Sequence, residues 1–242
     1  TASRYFIEKP ADVIETAYKG TKNVLDFAVE KKCKGVVFLS TMEIYGFPES
    51  DEPISENHSS NIDTMSVRSS YPESKRLCET LCKAYCSQYG VPVNILRLTQ
   101  TFGPGVEYDD QRVFAQFCRA FEENRNIILK SKGETRRKYL HTYDAVTAII
   151  KVLLSEKSGE AYNAARDDSY CSIMEMAQVI RVLSNASVKI EVKEEETGYY
   201  APVTHMNLDC SKLKNTGWIA KYSLREMFVS TISYWEKEKG VK

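Results

Sequence analysis

The stretch Gly35-Val36-Val37-Phe38-Leu39-Ser40-Thr41-Met42-Glu43-Ile44-Tyr45-Gly46 decides the fold. Val36 to Leu39 is a short continuous apolar run, too short for a helix and without polar alternation. It reads as a strand covered on both faces, as parallel sheets are. Upstream, Val13, Ile14, Ala17, Val24, Leu25, Ala28 and Val29 recur at helical spacing through residues 11–32. Downstream, residues 47–70 are polar and interrupted by Pro48, Pro53, Asn57 and Asn61, which predicts a loop. Helical spacing returns over 73–89 and stops at Gly90, a residue suited to the left-handed position after a helix. Val93–Leu98 is a second strand. Helix, strand, loop, helix, strand is the order of an α/β protein whose helices cross over a parallel sheet.

The remainder is mixed. Helices are expected at Arg112–Glu123 and Asp144–Leu154, and short strands at Ile127–Lys130, Ala161–Ala164 and Val188–Val192. Ser172 with Glu175, and Ser223 with Glu226, are capping boxes that open helices running to about Leu183 and about Lys239.

Composition narrows the function classes. The 242 residues carry 33 Lys plus Arg and 33 Asp plus Glu, 43% apolar and 27% charged residues. That is a globular balance, and zero net charge argues against nucleic acid as a partner. No apolar run approaches the roughly 18–20 residues of a membrane helix, so no membrane partner is expected. No basic-then-apolar opening marks a signal peptide. Seven cysteines, an odd number without a CxxC pair, suit free thiols in a reducing cytoplasm. Cys78, Cys82 and Cys86 line one helix face and cannot surround a tetrahedral ion, so they read as packing residues and no metal is expected.

The chemistry centres on Tyr71-Pro72-Glu73-Ser74-Lys75. Residues four apart share a helix face. A lysine cation there is expected to pull the tyrosine pKa down from about 10, giving an acid/base for a substrate hydroxyl. Ser40, Thr41 and Glu43 follow the first strand, and ligands of open parallel sheets bind beyond the carboxyl ends of strands. The second strand runs into Arg97-Leu98-Thr99-Gln100-Thr101-Phe102-Gly103-Pro104 at the same edge.

At these residues the chain resembles the extended short-chain dehydrogenase/reductases, within them the NAD-dependent nucleotide-sugar epimerase/dehydratase family. The matching pieces are Gly20-Thr21 to Leu25, Ser40-Thr41 with Tyr45-Gly46, Tyr71 with Lys75, Arg97 to Pro104, Arg137 to Asp144, Ala161-Tyr162-Asn163 and Gly217-Trp218. The resemblance implies a Rossmann-like parallel sheet with a smaller α+β C-terminal substrate lobe. Residues 1–104 and about 140–166 would form the NAD-binding part, and about 105–139 and 167–242 the nucleotide-sugar lobe. It also implies NAD as cofactor and transient oxidation of a UDP- or dTDP-sugar at C4, as in a 4-epimerase. Tyr71 would be the base, Lys75 would bind the nicotinamide ribose, and Thr41 would hydrogen-bond the reacting hydroxyl. Ser40, Leu98 and Thr99 would border the cofactor. Gln100, Arg112 and Arg137 would contact substrate, with Arg137 gripping the pyrophosphate through its planar fork.

Glu43 joins Thr41, Tyr71 and Lys75 as a catalytic candidate by the same resemblance, and it leaves the branch open. The 4,6-dehydratases carry Asp-Glu where this chain has Met42-Glu43, and a thioether cannot donate a proton. UDP-glucuronate decarboxylases carry Thr-Ser-Glu there, and residues 109–113 also resemble theirs. An NADP-dependent reductase and a non-catalytic binding module on the same fold are the competing classes. Departures are Ala17, where the family has asparagine, and the stretch from Thr204 to Asp209, where a pyrophosphate arginine is missing. His58, His141 and His205 read as ordinary polar residues. A homodimer paired through helices 11–32 and 73–89 is implied. No Gly-rich phosphate turn follows a strand, and the match begins about a third of the way into the family pattern, so the first strands of the cofactor domain are expected to be missing from this chain.

Overall fold

The computed structural model describes residues 4–194 and 203–240. In chain order the helices are α1 (Tyr5–Glu8), α2 (Pro10–Glu30), α3 (Ser70–Tyr89), α4 (Val113–Glu122), α5 (Thr142–Leu153), α6 (Ile173–Leu183), α7 (Ser211–Lys214) and α8 (Leu224–Gly240). The strands are β1 (Val36–Thr41), β2 (Val93–Leu98), β3 (Gln100–Phe102), β4 (Ile127–Leu129), β5 (Arg136–Arg137), β6 (Tyr139–His141), β7 (Ala161–Ala164), β8 (Cys171–Ser172), β9 (Ile190–Val192) and β10 (His205–Met206). Residues 195–202, which the sequence assigns to the substrate lobe, lie outside the described residues.

The central sheet is parallel, in the order β1-β2-β7, with Val36 opposite Val93 and Ile95 opposite Ala161. Successive strand residues point to opposite faces. Val93 and Ile95, with Val36 and Phe38, face Leu25 and Ala28 of α2 and Cys82 and Tyr85 of α3. Leu96, with Val37 and Leu98, faces Ala145, Ala148 and Val152 of α5. Both faces are therefore apolar, which is why the strands read as unbroken apolar runs.

The helices begin and end where their sequence dictates. Pro10 occupies the first turn of α2, where a missing N–H costs nothing. Gly90 ends α3 in the left-handed conformation at φ 69°, its N–H returning to the Cys86 carbonyl. Ser172 and Glu175 complete the reciprocal bonds of a capping box at α6. Ser223 and Glu226 do the same before α8. α3 begins at Ser70, before the expected residue 73, because Pro72 falls within the first turn and needs no donor there.

The largest apolar cluster lies elsewhere. It joins Phe102, Phe114, Phe117, Met176, Phe228 and Trp235, drawn from β3, α4, α6 and α8. Parallel pairs β3–β6 and β4–β9 and the mixed ribbon β10-β5-β8 connect it to the sheet. The segment 47–66 is pinned by bridges from Gly46 to Asn61 and from Ile54 to Leu208, and Ile54 packs in a further apolar cluster with Met42, Tyr45 and Met206. A Cβ on Gly46 would stand 2.4 Å from the Asn61 carbonyl oxygen, and its φ of +78° also requires glycine.

Candidate active site

β1 delivers Thr41 to the carboxyl edge of the sheet, and the chain turns at once into a short 3₁₀ helix, Met42–Tyr45. Thr41 caps that helix: its Oγ1 accepts the Glu43 N–H at 3.3 Å. Opposite, Tyr71 stands in the first turn of α3. Its phenol lies near enough to the Thr41 side chain for that hydroxyl to favour the phenolate. The tyrosine ring stacks flat on Phe6, with centroids 4.3 Å apart and planes within 3°. Phe6 is buried, and the Ser70 hydroxyl donates to its carbonyl at 3.0 Å.

Burial raises the Tyr71 pKa, and the nearby Glu43 carboxylate adds to the rise, while the Thr41 hydroxyl opposes it. The expected lowering by Lys75 is absent. Lys75 shares the helix face, but its Nζ donates to the Leu39 carbonyl at 2.8 Å and sits 4.7 Å from the centre of the Phe38 ring. Burial lowers the Lys75 pKa, against the pull of Cys78, Glu79 and Cys82. The lysine is thus engaged with β1, and the phenol is held as a neutral acid.

Next to the first turn of α3 opens a cleft of about 80 Å³, lined by Met42, Glu43, Arg68, Pro72, Arg137 and Met206 among others, while Thr41, Tyr71 and Lys75 do not themselves line it. Glu43 keeps about a third of its side-chain exposure, 36%, and desolvation nevertheless raises its pKa, with Arg68 and then Arg137 opposing. The two facts agree because the carboxylate opens on the cleft, whose walls crowd it. Arg68 approaches it at 3.7 Å. Neighbours on β5 divide by the alternation of a strand. Arg136 is paired with Glu175 at 3.1 Å, whereas Arg137 lines the cleft and its buried Nε has no protein partner.

The structure therefore gathers Thr41, Glu43, Tyr71 and Arg137. Ser40, Leu98 and Thr99 lie at the carboxyl ends of β1 and β2, with Ser40 opposite Arg97 and Thr41 opposite Leu98. Ser40 Oγ is buried without a partner, an orphaned donor on β1 next to Leu39, whose carbonyl holds Lys75. Thr99 spends its hydroxyl on the Lys138 carbonyl and lies 3.3 Å from Met42 Sδ. Gln100 leaves its Oε1 buried and unpaired on β3, away from the cleft lining. Arg112 stands apart: it is ion-paired with Asp110 at 2.5 Å, covers the Phe114 ring, and does not line the cleft. His141 caps α5 and bonds Ser230 at 2.9 Å, while His205 pairs with Asp51 at 3.0 Å. Among the described residues no group of three or more His, Cys, Asp or Glu is placed to hold a metal ion. Arg68 and Phe6 are the residues that sequence reasoning missed. Arg68 had one signal, its position three residues before Tyr71, but that stretch looked like plain polar loop.

The family model for the NAD-dependent epimerase/dehydratase family matches residues 2–165. The chain belongs to that family. UDP-N-acetyl-alpha-D-glucosaminuronate decarboxylase of Bacillus cytotoxicus is 34% identical over 213 residues, 86% of this chain and 65% of that protein. UDP-glucuronic acid decarboxylase 3 of Arabidopsis thaliana is 29% identical over 223 residues, 92% of this chain and 63% of that protein. The chain thus spans under two thirds of the length of these curated relatives. Among solved structures, UDP-glucose 4-epimerase of Thermotoga maritima with UDP-glucose superposes with a TM-score of 0.87 at 21% identity. That likeness covers 99% of this chain and 75% of the other, and it establishes a shared fold of the Rossmann-like α/β type.

Proposed function

We propose that the chain carries the proton-transfer and substrate-binding machinery of an NAD-dependent enzyme that oxidises a nucleotide sugar at C4. The observation that carries this is the Thr41 hydroxyl beside the Tyr71 phenol at the carboxyl edge of β1, with their chain neighbours Met42, Glu43 and Pro72 lining a cleft together with Arg137. A sugar hydroxyl placed between Thr41 and Tyr71 has a hydrogen-bond partner on one side and a proton acceptor on the other. The donor set also fits the nicotinamide end of a dinucleotide: the Lys75 ammonium and the orphaned Ser40 hydroxyl suit a ribose diol and an amide. When bound, NAD supplies the acceptor for the C4 hydride. Lys75 would hold the ribose after leaving the Leu39 carbonyl, and its cation would then favour the Tyr71 phenolate. Arg137 offers its unpaired Nε to the pyrophosphate or another anionic group of the substrate.

A 4-epimerase needs nothing further. Glu43 between Arg68 and Arg137 favours a second reading, decarboxylation of a UDP-uronate, because the two guanidiniums offer a sugar carboxylate a cationic wall within the same cleft. The curated relatives with that activity support it. The deciding experiment is turnover of UDP-glucuronate, UDP-glucose and dTDP-glucose in parallel, read by product mass. Loss of carbon dioxide indicates decarboxylation, loss of water dehydration, and unchanged mass epimerisation. Full turnover by Tyr71→Phe would sink the mechanism.

The division into a cofactor part (1–104 and about 140–166) and a nucleotide-sugar lobe (about 105–139 and 167–242) belongs to the same proposal, and the two apolar cores support it. So does a homodimer through α2 and α3, whose groove is lined by Ile14, Tyr18 and Leu77, each more than a third exposed. Among the described residues no helix is long and apolar enough to cross a membrane. Seven free cysteines support a reducing compartment, the cytoplasm.

A further inference from the structure

Tyr45, Arg97 and Asn163 come from three separate motif stretches, and none of them lines the cleft. They meet in one buried network. Arg97 Nε and Nη2 donate to the Glu79 carboxylate on α3, the shortest bond being 2.7 Å. Its Nη1 donates to the Tyr45 hydroxyl and to the Glu56 carbonyl, each at 2.8 Å. The Tyr45 hydroxyl donates onward to Asn163 Oδ1 at 2.7 Å. Asn163 Nδ2 closes the network on the carbonyls of Ile54 at 2.9 Å and Asp209 at 3.1 Å. The side chains of Arg97 and Glu79 keep only 12% and 10% of their exposure.

Both ends of this network touch elements that carry the candidate chemistry. Glu79 follows Tyr71 and Lys75 at intervals of four on α3, so all three share one helix face. Tyr45 ends the 3₁₀ turn that Thr41 caps. The guanidinium is planar and forked, so bonding a carboxylate on one edge and a phenol on another fixes the angle between their elements. An ammonium, a point charge with freely rotating donors, fixes no such angle.

We propose that Arg97 is a positioning residue: through Glu79 and Tyr45 it clamps the Thr41–Tyr45 turn to α3 and so holds the Thr41 hydroxyl against the Tyr71 phenol. This rests on reading Tyr71 as the acid/base. A buried ion pair that served stability alone would be equally well replaced by apolar packing. Here the fork also spans two elements whose separation sets the distance between the reacting groups.

The test uses the full chain with Arg97→Lys and, as a milder change that deletes one hydroxyl, Tyr45→Phe. Trp235→Phe is the reference, because it removes a buried bond to the Val106 carbonyl in the other core. Two readouts are taken: hydrogen exchange over residues 41–46 and 70–79, and steady-state turnover of nucleotide sugars. Loss of alignment should lower kcat by about 100-fold for Arg97→Lys and about 10-fold for Tyr45→Phe, with KM within about threefold. Exchange in both segments should quicken by about 10-fold or more, and Trp235→Phe should change neither segment nor kcat. The clamp is overturned if the segments loosen while kcat stays within about twofold, or if Trp235→Phe reproduces the same losses. If the unaltered chain turns over no nucleotide sugar, the proposed function fails separately. Exchange then still decides the clamp: faster exchange in both segments supports it, and unchanged protection in both variants overturns it.

Discussion

The Tyr71 phenol owes its protonation to what surrounds it. Burial against Phe6 removes water from one ring face, and Glu43 adds negative potential, so the neutral form is favoured. Phe6→Ala should readmit water and lower the Tyr71 pKa toward its ordinary 10.0, detected by ultraviolet titration of the phenolate against the parent chain. Glu43 follows the same physics. Its folded pKa is raised above the ordinary 4.5, so the folded state binds that proton more tightly than the unfolded chain does. Its contribution to stability is therefore full below 4.5 and is lost as pH rises through the folded value. Glu43→Gln should remove this dependence. Thermal melts of the two proteins should converge in acid and separate toward neutrality, with the variant the more stable. A gap that narrows with rising pH would show that the arginines, rather than burial, dominate at Glu43.

At the scale of elements, caps and turns carry separable increments. Ser172→Ala removes the acceptor of the Glu175 N–H, leaving the backbone half of the capping box at α6, and should cost about 1 kcal/mol in urea unfolding. Gly46→Ala should cost more, about 1–3 kcal/mol, since both the positive φ and the Asn61 carbonyl oppose a side chain. These features were legible in the residues because their causes are local. Both capping boxes, the Gly90 terminus, and the apolar runs of β1 and β2 appear where spacing and residue type place them. The pairings β3–β6 and β10–β5 were not legible. Each is only two or three residues long, too short for a period, and each is held by partners about 40 to 70 positions away in the chain. The site divides the same way. Tyr71, Thr41 and Glu43 follow from one strand end and one helix start. Arg68, Phe6 and the direction of the Lys75 side chain depend on how separate segments pack, which no local pattern encodes.

At the scale of the whole molecule, apolar side chains remain uncovered on α2 and α3. Ile14, Tyr18 and Leu77 surround a shared groove, and the α2–α3 pair is itself tightly joined, with the Cys78 thiol reaching the Ala17 carbonyl and the Tyr85 hydroxyl reaching Asp26. Pairing of two such faces would bury the groove as a four-helix bundle. Light scattering at micromolar concentration should therefore give twice the mass of 27.6 kDa, and Tyr18→Glu with Leu77→Glu should return it to the single value. A monomer in the unaltered chain would refute the pairing.

Two of the apolar clusters each contain one tryptophan. Trp218 belongs to the cluster against the sheet, and Trp235 to the one that joins Phe102 to α8. These are the chain's two tryptophans, so each of these two clusters contains its own fluorophore. Trp218→Phe and Trp235→Phe would each leave one core reporting. Because contacts between distant residues form slowly, the Trp235 signal should wait until the chain from Phe102 to α8 has been brought together. During synthesis that cluster is the last to have all its side chains outside the ribosome, since the Trp235 indole follows every residue of the cluster that holds Trp218.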